Sequence, residues 1–280
     1  MTVARVSDLH RTAFVTGASA GLGRAFAEML LTDGVKVWGT ARDAARLGSF
    51  GGASNFSAVV LDLRDGAGAE SAFRAAARAA GGFDLVINNA GYGVFGEFAA
   101  ADFSVWQEQL EVMLVNTARL SHAALREWLA RPAGERKGAL ANISSLAAEF
   151  PLPFQSAYNM AKAGLTALNE SLMLETAGTG IVILDVRPGD YRTDFETSVR
   201  RPAGPANARL GRAWAAFERM MKSGPEPAHA AASLRRALLH NRSGTVRTGR
   251  FFQAAIAPLI ARLGSLGVKR RIQARYFDVG

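Results

Sequence analysis

Cysteine is absent from this sequence. Disulfides, thiolate nucleophiles, zinc ribbons and iron–sulfur clusters are therefore excluded. Histidine is scarce: His10, His122, His229 and His240 are scattered, and no two stand at helical spacing. A histidine-based metal site is not expected. Long apolar runs are missing as well. The longest uncharged stretch, Leu47–Leu61, is interrupted by Gly48, Ser49, Gly51, Gly52, Ser54 and Asn55. It falls short of the roughly 18 apolar residues that a membrane span requires. The first residues, Met1–Arg11, lack the apolar core of a signal peptide. No Pro/Ser-rich linker and no internal repeat divides the chain. The expectation is a cytoplasmic protein with no integral membrane segment. Its 280 residues, 49% of them hydrophobic, suffice to bury one sizeable core.

Lysine is rare too, with five of the 33 basic residues (Lys36, Lys137, Lys162, Lys222 and Lys269). The net charge of +9 is unevenly spread: residues 1–186 hold 15 bases against 18 acids, and residues 187–280 hold 18 against 6. Such asymmetry reads either as Arg-rich surface decoration or as a signal for an anionic partner. No recognition motif accompanies the charge, so nucleic acid is not an expected partner.

What the sequence does have is alternation. Short apolar, β-branched runs at Thr12–Thr16, Val35–Thr40, Ser57–Leu61, Leu85–Asn88, Ala139–Ile143 and Ile181–Val186 read as strands. Helix candidates lie at Gly21–Thr32, Gly66–Ala80, Phe103–Ala130 and Ala157–Thr176. Continuous apolar strands, each followed by a helix, imply a doubly wound parallel α/β sheet covered by helices on both faces. Residues 193–224 and 226–241 read as helical, and Gly244–Thr248 as one more strand.

Four motifs fall at the ends of these strands, where doubly wound sheets hold their ligands. Thr16-Gly17-Ala18-Ser19-Ala20-Gly21-Leu22-Gly23 follows the first strand and opens the first helix. Glycines there let the backbone approach a pyrophosphate, and the helix start supplies free N–H groups. Tyr158 and Lys162 stand four apart on one helix face. An ammonium near a phenol favours phenolate, so Tyr158 is expected to have a lowered pKa and to act as a general acid/base. Asn142-Ile143-Ser144-Ser145 ends the fifth strand, and the Ser145 hydroxyl is placed to meet the same substrate oxygen. Asn88-Asn89-Ala90-Gly91 ends the fourth.

Together with Asp62, Asn116 and Pro188-Gly189…Thr193, these motifs resemble the classical short-chain dehydrogenase/reductase family, with the right order and spacing from about Thr12 to Thr193 and more weakly to about Pro258. The resemblance implies a Rossmann-like fold and hydride transfer between a nicotinamide cofactor and a carbonyl or secondary alcohol. It implies catalytic roles for Asn116, Ser145, Tyr158 and Lys162. Tyr158 would be the acid/base, and Ser145 would hold the substrate oxygen. Lys162 would bind the nicotinamide ribose, and Asn116 would hold a water in a proton relay to Lys162. Cofactor contacts would come from Gly17, Ser19, Ala20, Gly21, Leu22 and Gly23, from Asp62 and Leu63 at the adenine, and from Asn89, Ala90 and Gly91 along the cleft. Pro188, Gly189, Tyr191 and Thr193 would lie near the carboxamide. Within the family, Gly91–Gly96, Arg192–Phe195 and Arg247–Gly249 resemble hydroxysteroid- or retinol-dehydrogenase-like members.

At the end of the second strand, where NAD enzymes of this fold place a carboxylate, stands Ala41, followed by Arg42. A guanidinium suits a 2′-phosphate, which favours NADP(H) over NAD. Asp43 reads as the N-cap of a short helix. A hydrophobic substrate is expected from Tyr92, Val94, Phe95, Leu146–Phe154, Phe195, Trp214, Phe217, Met220 and Met221, though most of these are expected to pack against the sheet. The alternatives are an alcohol dehydrogenase running oxidatively, and a nucleotide-binding sensor without turnover. Relatives often form homodimers or homotetramers through helices near 103–130 and 156–177.

The expected organisation is a catalytic domain over 1–250, including substrate-binding helices at about 193–241, and a basic amphipathic tail over 251–280. In the tail Phe252, Ala255, Ile256, Leu259, Ile260 and Leu263 recur at helical spacing, and Lys269, Arg270, Arg271 and Arg275 follow. Pro258 must start or kink any helix there. The stripe is expected to pack on the domain or on a neighbouring subunit. Its alternatives are to cover the substrate cleft or to lie on an anionic membrane surface.

Overall fold

In the computed structural model, residues 4–203, 207–259 and 264–279 are described. Strands β1 (Thr12–Val15), β2 (Lys36–Ala41), β3 (Phe56–Val60), β4 (Leu85–Asn88), β5 (Gly138–Ile143), β6 (Ile181–Pro188) and β7 (Gly244–Thr248) form one parallel sheet, in the order β3-β2-β1-β4-β5-β6-β7. The order reverses between β3 and β4, so the ends of β1 and β4 open a crevice.

Because successive side chains of a strand point to opposite faces, each central strand feeds two cores. Ala13, Val15, Leu85, Ile87, Ala139, Ala141, Val182 and Leu184 turn to one face. There they meet α1 (Gly21–Thr32) and α7 (Pro227–His240), through Phe26, Leu30, Leu234 and Leu238. Phe14, Val86, Leu140, Ile181 and Ile183 turn to the other. That face is covered by α2 (Gly66–Ala80), α4 (Asn116–Leu129) and α5 (Ser156–Glu175), with Phe73, Leu120, Trp128 and Leu172 filling the gap. Phe14 meets Phe73 edge to face at 5.0 Å between ring centroids.

Two helical stretches differ from the sequence reading. Phe103–Ala130 is not one regular helix: α3 (Phe103–Leu110) passes through a π turn at Glu111–Val115 into α4. Asn116 therefore stands directly after the π turn, within a continuous helical run. Residues 193–224 also divide, into a short 3₁₀ turn at Asp194–Ser198 and α6 (Ala208–Ser223). The Thr193 hydroxyl accepts from Phe195 N to start that turn, and Pro202 disfavours helix before it. Residues 204–206 lie outside the described residues.

The tail is helical in two pieces. Phe251–Leu259 is helical, with a π turn at Phe252–Ile256 in which Ala257 N–H reaches back to the Phe252 carbonyl. Pro258 has no N–H to give and its ring crowds the preceding turn. The widened turn directly before it accommodates both. A last helix, α8 (Leu266–Tyr276), follows. Of the apolar stripe, Phe252 is half exposed, Ala255, Ile256 and Leu259 are exposed, and Ile260 and Leu263 lie outside the described residues. No helix among the described residues is long and apolar enough to cross a membrane.

Candidate active site

The ends of β1, β2, β4, β5 and β6 open into one cavity of about 600 Å³. At one end lies the glycine turn. Gly17 and Gly21 have φ of +66° and +54°, in the left-handed region that only glycine occupies freely. A side chain on Gly23 would sit 2.2 Å from the Gly17 carbonyl oxygen. Gly23 thus lets α1 start directly beneath the turn, and it does not itself line the cavity. Ala20 caps α1 without a side-chain hydrogen bond, and no acid stands in the first turn. The first N–H groups of α1 are left for an anion, which their dipole favours.

Asn89 holds this turn from below. Its amide donates to the Thr16 carbonyl at 3.1 Å, and the Asn89 and Ala90 N–H groups both donate to the Thr16 hydroxyl, at 2.9 and 3.0 Å. Gly17, Ser19, Ala20, Gly21, Leu22, Arg42, Asp62, Leu63, Asn89, Ala90 and Gly91 all line this half of the cavity. The Asp43 carboxylate is occupied as an N-cap, accepting from Ala45 N at 2.9 Å. Asp62 is paired with Arg64 at 2.5 Å, a contact that holds its carboxyl below the usual range. Arg42 and Arg46 remain at this end of the cavity.

The other half is lined by Ser145, Tyr158, Lys162, Pro188, Gly189, Tyr191 and Thr193. Ser145 follows β5, where its hydroxyl accepts from Ala147 N at 3.0 Å. Tyr158 and Lys162 project from the first turns of α5, with the ammonium 5.6 Å from the phenol ring centre. Lys162 is buried and donates to the Ile143 carbonyl at 2.7 Å. Burial pushes its pKa down to about 8, against the pull of the Asp185 carboxylate. For Tyr158 the expected lowering is not the net result. Burial pushes the phenol up, a hydrogen bond with Ser145 opposes this, and the Asp190 carboxylate adds to the rise. Taking the hydroxyl out of water costs the phenolate more than its neighbours return.

Asn116 does not reach the cavity. Its amide donates to the Leu63 carbonyl at 2.8 Å, and its oxygen accepts from Arg119 at 3.3 Å. The side chain braces the wall that carries Leu63. The expected substrate residues divide. Tyr92, Leu146, Ala147, Phe150, Leu152, Phe195, Phe217 and Met221 line the cavity, whereas Val94, Phe95, Trp214 and Met220 pack away from it.

Several lining residues were not singled out from sequence. The backbone turn after Gly189 carries Asp190, whose pKa is raised by burial and whose carboxylate accepts from Gln253 and, at 3.2 Å, from Tyr276. Gln253 and Tyr276 belong to the tail, which also brings Phe252, Ala257, Ile272, Gln273 and Phe277 to the cavity. The tail is tied down at its far end: Gln273 donates to the Pro151 carbonyl at 2.7 Å, and Phe277 and Val279 are buried beside Phe95 and Ala213. The helical period of the tail was readable, but the side of it that meets the domain was not.

Comparison with known proteins agrees with this geometry. Residues 11–204 match the family model described as short chain dehydrogenase. An uncharacterized oxidoreductase of Schizosaccharomyces pombe is 33% identical over 210 residues, covering 74% of this chain and 70% of the relative. The 3-oxoacyl-(acyl-carrier-protein) reductase of Escherichia coli is 34% identical over 188 residues, covering 66% and 75%. A crystal structure of a short-chain dehydrogenase from Streptomyces avermitilis superposes with a TM-score of 0.77 at 28% identity, over 96% of this chain and 97% of that one.

Proposed function

Since the chain belongs to the short-chain dehydrogenase family, and is an oxidoreductase of NAD(P)-binding fold, we propose that it reduces the carbonyl group of a hydrophobic substrate with NADPH. The observation that carries this is one cavity with two chemically distinct ends: a glycine turn under free helix N–H groups, and Ser145, Tyr158 and Lys162 together. These residues fit a dinucleotide laid between them. When bound there, a nicotinamide cofactor would supply a hydride, two electrons and one proton, to a carbonyl carbon, its own oxidation balancing the reduction of the carbonyl. As the carbon–oxygen π pair moves onto oxygen, Ser145 and Tyr158 donate hydrogen bonds to it, and Tyr158 releases its proton there. A raised pKa keeps Tyr158 protonated and ready to donate. The Lys162 ammonium favours the phenolate that forms, and solvent returns the proton. Asn116 acts here as a brace for Leu63. The same residues serve alcohol oxidation in reverse.

NADP(H) is favoured over NAD by Arg42 and Arg46 at the cavity end and by the engagement of Asp43 as a cap. The apolar side chains of Leu146, Phe150, Phe195, Phe217 and Met221 suit a hydrophobic carbonyl compound. The chain is further proposed to associate with copies of itself through α3–α4 and α5, where Val115, Met160 and Leu174 are exposed.

The test is a screen of ketones and alcohols with NADPH, NADH and their oxidised forms, followed through the absorbance of the reduced cofactor. Turnover with at least one hydrophobic ketone and NADPH is expected. Tyr158→Phe removes the proton and keeps the ring. Its turnover should fall by roughly 10²-fold or more, with melting temperature and cofactor affinity unchanged. Near-normal turnover in that variant overturns the assignment.

A further inference from the structure

The tail that closes the cavity has a second side. Phe252, Gln253 and Ala257 from its first helix, and Ile272 and Gln273 from α8, face the cavity. Since both helices turn one side to the same cavity, their opposite sides both face away from the domain. On the first helix that outer side shows Phe251, 77% exposed, then Ala255 with Ile256, then Leu259, 57% exposed, at intervals of four. Leu266 and Val268 continue the exposed apolar surface, and α8 turns Arg270, Arg271 and Arg275 to solvent. Between Phe251 and Phe277 the sequence contains Arg262, Lys269, Arg270, Arg271 and Arg275 and no acidic residue.

Single exposed apolar side chains are ordinary on protein surfaces. A stripe of them at helical spacing, joined to a run of bases without one acid, is a different pattern. A purely apolar partner leaves the bases unmatched. A polyanion leaves Phe251, Ile256 and Leu259 in water. An anionic bilayer meets both, taking the apolar side chains at the boundary of headgroups and acyl chains and the bases among the headgroups.

We propose that the outer sides of the helix over 251–259 and of α8 dock the protein peripherally on an anionic lipid bilayer. The docking uses no catalytic residue, so it stands or falls apart from the reaction proposed above.

The experiment is co-sedimentation of the full chain with vesicles of phosphatidylcholine alone and of phosphatidylcholine with phosphatidylserine, at low and at physiological salt. Two variants are compared, Phe251→Ser/Ile256→Ser/Leu259→Ser and Arg270→Glu/Arg271→Glu/Arg275→Glu. All six positions are exposed and lie outside the cavity lining. Wild type is expected to partition onto the serine-containing vesicles only. Each base near such a surface is worth about fivefold in partitioning, so the charge reversal should lower it well over tenfold. The serine variant should lower it comparably, with melting temperature and NADPH binding unchanged in both.

Wild type left in the supernatant at low salt overturns the proposal. So does a serine variant that binds as well as wild type, since net positive charge alone then explains the partitioning. If wild type ignores vesicles and both variants dissociate a dimer, the surface is an interface between copies, and the proposal falls.

Discussion

Lys162 bears two opposed demands. The reaction proposed above uses its positive charge, while its burial disfavours that charge and brings its pKa down to about 8 from the ordinary 10.5. In the unfolded chain the same side chain titrates near its ordinary value. Between about pH 8 and 10.5 the unfolded state therefore binds more protons than the folded one, and this residue's contribution makes stability rise with pH. Below about pH 8 the buried charge is fully costly. Lys162→Met is expected to melt at or above the wild-type temperature at pH 7, to lose the rise between pH 8 and 10.5, and to lose most turnover. Melting curves across that pH range check this. An unchanged rise in the variant assigns it to another group. In the wild type, ketone reduction should decline as pH passes about 8 and the ammonium is lost.

Arg42 is a second residue whose meaning lies in its neighbours. A charged hydrogen bond from it to a 2′-phosphate should be worth about 1.5–3 kcal/mol, or about tenfold to hundredfold in affinity. Ala41→Asp should repel that phosphate and move the preference towards NADH, as read from the ratio of kcat/KM for the two cofactors. If the wild type already prefers NADH, the reading of Ala41 and Arg42 is wrong.

At the scale of elements, strands β4, β5 and β6 carry a buried polar rung. Asn88 stands opposite Asn142, and Asn142 opposite Asp185. The Asn88 amide donates to Asn142, Asn142 to Asn169, and Asn169 to Asp185, at 2.8, 2.7 and 3.0 Å. Asp185 also accepts from Ser144 at 2.5 Å and from Arg187 at 2.6 Å, and Arg187 continues to Glu149. Strand register aligns Asn88, Asn142 and Asp185, and α5 brings Asn169 to link the last two. The rung also fixes Ser144, and through it the turn that presents Ser145. Removing one member of a buried ion pair typically costs about 3–5 kcal/mol. The two other carboxylates on Arg187 soften this, so Asp185→Asn is expected to lose about 2 kcal/mol or more in urea unfolding. Glu28→Gln, which breaks the exposed pair with Arg24, should change stability by under about 0.5 kcal/mol. Equal losses in the two variants contradict the picture of a structural rung.

The element scale also shows what a linear reading reaches. Helices Gly21–Thr32 and Gly66–Ala80 stand where apolar period, glycine and cap residues put them. Strands Leu85–Asn88 and Gly244–Thr248 stand at the bounds read from sequence, and the other five differ by one or two residues at one or both ends. The glycine turn and the Ser145/Tyr158/Lys162 group were legible because backbone clearance and four-residue spacing are local. The π turn before Asn116 was not, since its register follows from packing between α3, α4 and the sheet. Nor was the sign of the Tyr158 shift. Proximity to Lys162 is visible in the sequence, but the burial of the phenol and the nearness of the Asp190 carboxylate arise only in the fold. The tail shows its helical period without showing which side meets the domain.

At the scale of the whole molecule, the tail is held where it leaves β7, by Gln253 and Tyr276 on Asp190, by Gln273 on the Pro151 carbonyl, and by the socket for Phe277. Phe277 and Val279 are buried with Phe95 and Ala213, next to Trp214, Phe154 and Leu152, and Arg209 donates to the Val279 carbonyl at 2.8 Å. A buried phenylalanine cut to alanine typically costs about 3–5 kcal/mol when the surroundings cannot relax. Here there is another way out: the tail can leave its socket while both sheet cores, which share no residue with it, stay intact. Segments with few buried contacts open below the global unfolding free energy. Phe277→Ala is therefore expected to lower the midpoint for the sheet only slightly. The amides of residues 251–276 should exchange faster, and trypsin should cut at Lys269–Arg271 in the folded protein. With Gln253, Ile272 and Tyr276 withdrawn from the cavity wall, KM for a large apolar ketone should rise several-fold, while a small ketone that contacts only Ser145 and Tyr158 should be turned over much as before. Tail amides as protected as in the wild type, or tail and sheet losing protection together, would show the chain to be one cooperative unit and the tail no separable wall.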